Sequence, residues 1–149
     1  MRLNLGCCDD VKPDYVNVDI TPRAGVVVAD LREAWPWPDS SVEFILARDI
    51  IEHLPDKIHT MNEAWRVLAP GGVIEIGVPT TEGPGAFQDP THVSYWNERS
   101  FAYYLAGNIY RERFAASYGI MAAFNMLDGR IRRGSPDGPY LTITLEAVK

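Results

Sequence analysis

Residues 3–8 read Leu3-Asn4-Leu5-Gly6-Cys7-Cys8, a short apolar run that breaks at a glycine. Open α/β sheets bind ligands where a strand ends in such a turn, because glycine lets the backbone approach a ligand closely. Two further runs end in the same way on an acid, in Asn17-Val18-Asp19-Ile20 and in Ala29-Asp30-Leu31. A carboxylate at the second strand end can accept hydrogen bonds from both hydroxyls of a ribose. One at the third can take an exocyclic amino group, with Leu31 as an apolar wall for the ring. Singly, each reads as a turn or cap residue. Together, at three successive strand ends, they read as a nucleoside-binding edge.

The rest of the chain supplies the sheet this edge needs. Residues 3–5, 15–19, 26–29, 42–47 and 73–78 are short runs rich in β-branched residues and bounded by Gly, Pro, Asp or Ser. Between the fourth and fifth, Ile58, Met61, Trp65 and Leu68 recur at helical spacing until Pro70-Gly71-Gly72 stops the pattern. This alternation predicts a Rossmann-like open, mostly parallel sheet with helices on both faces. A second helix is expected over 97–105, with Asn97 as its N-cap and Phe101, Tyr104 and Leu105 on one face. The runs 120–127 and 140–148, separated by the Gly-, Pro-, Asp-, Ser- and Arg-rich stretch 128–139, predict a terminal antiparallel strand pair. In the second of these, Leu141, Ile143, Leu145 and Ala147 alternate with Thr142, Thr144 and Glu146, as in a half-exposed strand at or near an edge.

A chain of 149 residues fits one domain over 1–149, so one site has to serve both cofactor and substrate. Its 46% hydrophobic and 23% charged residues describe an ordinary globular protein, with no apolar run long enough to span a membrane. Net charge −6 and a pI near 5.0 disfavour nucleic acid as the main partner, since neutralising phosphates requires a basic surface. The adjacent Cys7 and Cys8 close no useful loop, and no second Cys/His pair is spaced for zinc. Reduced thiols in the cytoplasm and no bound metal are therefore expected.

Taken in order, these residues resemble the class I S-adenosylmethionine-dependent methyltransferases, in particular the short methyltransferase-domain proteins of the type 11 group. The likeness runs through Leu3-Asn4-Leu5-Gly6-Cys7, Asn17-Val18-Asp19, Asp30-Leu31 and Trp35-Pro36-Trp37-Pro38-Asp39-Ser40-Ser41-Val42-Glu43. It continues through Ile51-Glu52-His53-Leu54 and Asn62-Glu63-Ala64-Trp65-Arg66-Val67-Leu68-Ala69-Pro70-Gly71-Gly72 to Trp96-Asn97. The resemblance implies S-adenosyl-L-methionine as cofactor, with Gly6 at its methionine and ribose end, Asp19 on the ribose, and Asp30 with Leu31 at the adenine. Leu5, Cys7 and Ile20 flank the same site. Arg48 and Asp49, past the fourth strand, are implied to border the transferred methyl group. Two features depart from the pattern. Cys8 stands where similar proteins often carry another glycine. Only thirteen positions separate Gly6 from Asp19, against about twenty in a dinucleotide fingerprint, so the first crossover helix must shrink to a turn or a loop.

Methyl transfer asks the protein mainly to align an acceptor and, where needed, to accept its proton. Asp49, His53, Asp89, His92 and Tyr95 are the candidate groups. His92, Asp89 and Asp49 lead, because Phe87-Gln88-Asp89-Pro90-Thr91-His92 lies in a Gly/Pro-rich loop, 80–96, suited to covering a pocket, whereas His53 reads as a turn residue. Trp35, Trp37, Tyr95 and Trp96 line either a substrate slot or the core, and Trp65 belongs in the core. Ala47-Arg48-Asp49-Ile50 lacks the Asn/Asp-Pro-Pro-aromatic run of amino-directed nucleic-acid methyltransferases. With the acidic pI, this points to a small-molecule or glycan hydroxyl as acceptor, to no nucleic-acid partner and to no membrane. Arg130, Arg132 and Arg133 are a candidate anion site or a solvated cluster. The competing readings are a non-catalytic methyltransferase-like binding module or partner subunit, and a nicotinamide oxidoreductase. The second is disfavoured because Leu5-Gly6-Cys7-Cys8-Asp9 lacks the later glycines that admit a pyrophosphate.

Overall fold

In the computed structural model, which describes residues 1–133 and 138–149, seven strands form a sheet. They are β1 (Arg2–Leu5), β2 (Val16–Asp19), β3 (Val26–Val28), β4 (Val42–Arg48), β5 (Leu68–Pro79), β6 (Phe124–Arg132) and β7 (Tyr140–Ala147), in the order β3-β2-β1-β4-β5-β7-β6. β1 to β5 are parallel, and β7 runs antiparallel between β5 and β6. The order reverses between β1 and β4, so Gly6 and Asp49, just past their carboxyl ends, flank the switch point where such sheets bind ligands.

Among the described residues, three α-helices accompany the sheet: α1 (Lys57–Val67), α2 (Gly85–Gln88) and α3 (Ile109–Tyr118). Asp56 caps α1 by accepting from His59 N, and Met61, Ala64 and Val67 are buried in one core with Ile45, Ala47, Ile74 and Ile76. The helical cover is uneven. Phe101, Tyr104, Ile120 and Ala122 join that same core, and Asn62 of α1 bonds Gly119 O, Met121 N and Ala122 N, so α1, residues 98–104 and α3 share one face. The other face carries Arg48, Glu75, Thr142 and Thr144 on an open cavity, with α2 at its rim.

The expected loss of the first crossover helix is what the structure shows. Residues between β1 and β2 form a loop, organised by two buried amides: Asn4 Nδ2 donates to Asn17 Oδ1 (2.9 Å) and Asp10 O (2.8 Å), and Asn17 Nδ2 donates to Lys12 O (2.9 Å). The connection from β3 to β4 is pinned to α1 instead. Arg66 donates to Trp35 O and Trp37 O (both 2.9 Å), to Asp39 (2.6 Å) and to both oxygens of Glu63 (2.7 and 2.8 Å), while Glu63 accepts from Trp35 N at 2.7 Å. Trp35 and Trp37 are therefore core residues, and Trp65 is half-buried against the core with Nε1 on Val148 O.

Two local expectations are corrected, and one helix had no counterpart in the sequence reading. Residues 98–104 form a 3-10 helix, not an α-helix, although Asn97 does cap it, in a reciprocal box with Ser100. α3 carries no sequence periodicity because none of its residues is buried. Its Tyr110, Phe114 and Tyr118 instead form a ring cluster with Tyr103. Residues 128–132, rich in turn formers, are strand: ladder bonds to β7 override local preference, and a bulge between Met126 and Asp128 leaves Leu127 without a partner in β7. Residues 134–137 of the expected connection lie outside the described residues. No helix of the described residues is long and apolar enough to cross a membrane.

Candidate functional site

Gly6 has φ +61°, and a Cβ placed there would sit 2.8 Å from the side chain of Ile50, so both conformation and space require glycine. Cys7 N donates to Val18 O at 3.0 Å, and Cys8 follows with φ +45°. The glycine that similar proteins carry at that position thus matches a left-handed backbone, which Cys8 adopts with strain. Cys8 N donates to Asp19 Oδ2 (2.9 Å) and Thr21 N to Asp19 Oδ1 (2.8 Å). The Thr21 side chain bonds the same carboxylate, which with four lone-pair sites still has acceptor capacity to spare. Burial alone would push the Asp19 pKa up, but the bonds from Thr21 and Cys8 N–H and the nearby Arg23 charge bring it below its ordinary value. The acid therefore stays an acceptor.

Asp19, Ile20, Asp30, Leu31, Ile50 and Gly6 line a cavity of about 170 Å³. Asp30 is clamped by Arg32 at 2.6–3.1 Å, and that guanidinium holds its carboxyl down at about 2. Leu5 and Cys7 are buried and are not among the residues that line this cavity.

A second cavity of about 910 Å³ holds Arg48, Asp49, His53, Asp89 and His92, and His53 lines both spaces. Asp49 takes φ +51° with its N–H on Gly77 O, and its carboxylate meets the buried Tyr140 phenol. Arg48 turns to Glu75 at 2.5 Å on the open sheet face. The loop after β5 is stapled to the turn after β4: Val93 N and Ser94 N donate to Glu52 O (2.9 and 3.0 Å), and Ser94 Oγ donates to Ile51 O (2.9 Å). This brings the His53 and His92 rings to 4.8 Å, edge to face. Asp89 accepts from Thr91 N and Oγ1 (2.8 and 2.6 Å), which keeps its carboxyl below the ordinary range.

The sequence candidates Asp49, Asp89 and His92 thus share one cavity, with His53 among them. Tyr95 is exposed and Trp96 is buried in the core. Arg130 and Arg132 line the cavity, whereas Arg133 pairs with Glu82 at 2.9 Å. Sequence reasoning missed Glu52, Ile50 and Tyr140. Glu52 is 2% exposed, and burial, with like charge from Asp49 and Asp89, pushes its carboxyl up to about 8. The readable signal was the spacing Asp49-Ile50-Ile51-Glu52-His53, which returns two acids and a histidine to one tight turn.

The methyltransferase-domain family matches residues 6–76. A 27-O-demethylrifamycin SV methyltransferase of Amycolatopsis mediterranei (strain S699) is 36% identical over 69 residues, 44% of this chain and 25% of the relative. An S-adenosylmethionine-dependent methyltransferase of Mycolicibacterium smegmatis is 39% identical over 66 residues, 43% of this chain and 25% of the relative. The chain thus spans about a quarter of the length of these curated relatives. Among solved structures, the N-methyltransferase NodS from Bradyrhizobium japonicum superposes with a TM-score of 0.66 at 14% identity, over 99% of this chain and 85% of that one. The 1,6-didemethyltoxoflavin-N1-methyltransferase of Burkholderia thailandensis, solved with its substrate and S-adenosylhomocysteine, gives 0.66 at 14% identity, over 99% of this chain and 71% of that one. Residues 6–76 therefore carry the signature of the methyltransferase-domain family, and the chain has the fold of solved S-adenosylmethionine-dependent methyltransferases along nearly its whole length.

Proposed function

We propose that this chain binds S-adenosylmethionine at the carboxyl edge of β1, β2 and β3 and methylates a small-molecule or sugar hydroxyl held in the adjoining cavity. The observation that carries the reading is Asp19. Its two oxygens are fixed by Cys8 N–H and Thr21 N–H, the carboxylate still has acceptor capacity to spare, and the residue lines the cavity together with Gly6. That arrangement fits a ribose diol. Leu31, with Ile20 and Ile50, offers apolar contact to an adenine, and Asp30 offers an acceptor for its amino group beside Arg32. At about 170 Å³ this space suits the nucleoside portion alone, so the rest of the cofactor extends past His53 toward Arg48 and Asp49.

When bound, the cofactor supplies a methyl group already activated on a sulfonium. The chain's own part is to orient the acceptor and hold its proton. Asp49, Asp89 and His92 are the acceptor-side groups in this reading, set by Tyr140, Thr91 and the Ala86 carbonyl respectively. An uncharged hydroxyl acceptor is favoured by the net charge of −6 and by the Thr142, Thr144 and Tyr140 lining. It also agrees with the relative named for methylation of a small molecule at oxygen, the 27-O-demethylrifamycin SV methyltransferase.

Calorimetric titration with S-adenosylmethionine and S-adenosylhomocysteine tests this. The wild-type protein is expected to bind both, and Asp19→Ala to lose about 1.5–3 kcal/mol, the range for hydrogen bonds to a charged group, or roughly 10–150-fold in affinity. A folded wild-type protein that gives no heat with either compound removes the basis of the reading.

A further inference from the structure

Glu52 is 98% buried by area, and neither of its carboxylate oxygens has a hydrogen-bond partner. A carboxylate stripped of water without replacement is among the costliest arrangements a fold can hold, and such groups in native proteins are paired or bind metal. The side chains that meet it are His53, from the turn after β4, and His92, from the loop after β5. One ligand nitrogen of each ring and one Glu52 oxygen all lie within 4.8 Å of one another.

Both rings are already oriented through Nδ1. His92 Nδ1 lies 3.1 Å from Ala86 O, and His53 Nδ1 lies 3.3 Å from Thr91 O and 3.0 Å from Thr91 Oγ1. Thr91 is in turn fixed by Asp89. A ring that donates Nδ1–H to a carbonyl presents the lone pair of Nε2, which is the tautomer and the outer support that metal-ligating histidines share. The frame is anchored as well, since Val93 N and Ser94 N hold the Glu52 carbonyl. Two donors on one ion at about 2.1 Å each lie at most about 4.2 Å apart, so a pair 4.8 Å apart must close by at least about 0.6 Å, within reach of side-chain torsions.

We propose that Glu52, His53 and His92 bind one divalent first-row transition-metal ion. Two imidazoles and a carboxylate suit zinc, manganese or iron(II) and leave coordination positions open. All three donors line the larger cavity, so those positions face the acceptor space. On the methyltransferase reading, on which this last step rests, the ion selects acceptors that bring an oxygen donor to it, and with His92 as a ligand the acceptor's proton passes to Asp49 or Asp89.

The test uses metal-stripped full-length protein titrated calorimetrically with Zn²⁺ and with Mn²⁺. One equivalent is expected to bind, with Glu52→Gln and His92→Ala each weakening it by at least about 10–100-fold, the loss typical even for the outer support of a metal ligand. His59→Ala is expected to bind as wild type, since its Nε2 is engaged by Glu33 O and it is not among the clustered donors. X-ray absorption on zinc-loaded wild-type protein needs no variant to fold. It should show only nitrogen and oxygen donors at about 2.0–2.2 Å, with imidazole scattering. A sulfur shell near about 2.3 Å would assign the zinc to Cys7 or Cys8 and overturn the site, as would no binding of either ion, or binding unchanged in both variants. S-adenosylhomocysteine binding, measured separately by thermal shift, keeps the two readings apart. A bound metal without it leaves the site and removes its role in methyl transfer, whereas S-adenosylhomocysteine binding without metal sinks the site alone.

Discussion

Gly6→Val is expected to lower S-adenosylmethionine affinity by at least about 100-fold, equivalent to roughly 2.7 kcal/mol. Two effects coincide at this position. A non-glycine residue at φ +61° carries about 1–2 kcal/mol of backbone strain, more for a β-branched side chain. The new Cβ would also meet Cβ, Cγ1 and Cδ1 of Ile50, each at 2.8 Å, a separation that real side chains do not tolerate. Relief requires the backbone at residues 6–8 to move, and with it Cys8 N–H, one of the two donors that aim Asp19. The measurement is calorimetry paired with circular dichroism and a melting curve. A Val variant that keeps its fold and binds the cofactor as tightly as wild type would show that this turn does not approach the ligand, and the whole assignment of the edge would go with it.

Arg66→Leu is expected to destabilise the fold by about 3–5 kcal/mol, the usual effect of removing one partner of a buried ion pair. Glu63 is 9% exposed and would keep a bond only from Trp35 N, while the carbonyls of Trp35 and Trp37 would lose their donor. Against a total stability of about 5–15 kcal/mol this is a large fraction, and at roughly 2–4 °C per kcal/mol the melting temperature should fall by about 6–20 °C. Arg66→Lys should recover only part, because an ammonium cannot reproduce a fork that meets five acceptor oxygens. The pH dependence has a definite sign. The hydrogen-bonded Arg66 guanidinium holds the Glu63 carboxyl below its ordinary 4.5, so the stability it contributes is present above that value and lost as pH falls through the depressed one. Urea unfolding should therefore show a wide gap between wild type and Arg66→Leu at neutral pH that narrows in acid. A loss under about 1 kcal/mol at pH 7 would mean that Trp35 and Trp37 are held by packing alone.

What the sequence disclosed follows from how each feature is encoded. β1 to β5 were readable because buried parallel strands are continuous apolar runs, and the three residues at their ends, Gly6, Asp19 and Asp30, are named by chemistry that acts locally. α1 was readable from one apolar face. α3 was not, because it buries nothing and is held by ring contacts to Tyr103, and β6 beyond Leu127 was hidden under turn-forming residues whose strand state depends on a partner distant in sequence. In the site, Asp49, Asp89 and His92 were chosen as residues near the right edge. Glu52 went unnoticed because nothing in a sequence reports that a carboxylate has been sealed from water by the return of residues 93 and 94.

The placement of β7 between β5 and β6 also sets the order in which this molecule can assemble. β6 leaves the ribosome before β7 yet has no other neighbour in the sheet, and β5 shows a bare edge over the same interval. During synthesis, residues 124–132 therefore wait unpaired, and the growing intermediate presents two hydrogen-bonding edges to any passing strand. Completion is a late, long-range closure in which residues 140–147 thread into a gap already flanked on both sides. The alternating Thr142, Thr144 and Glu146 on that strand then act as gatekeepers, keeping a segment that must stay available until the end from aggregating before it arrives.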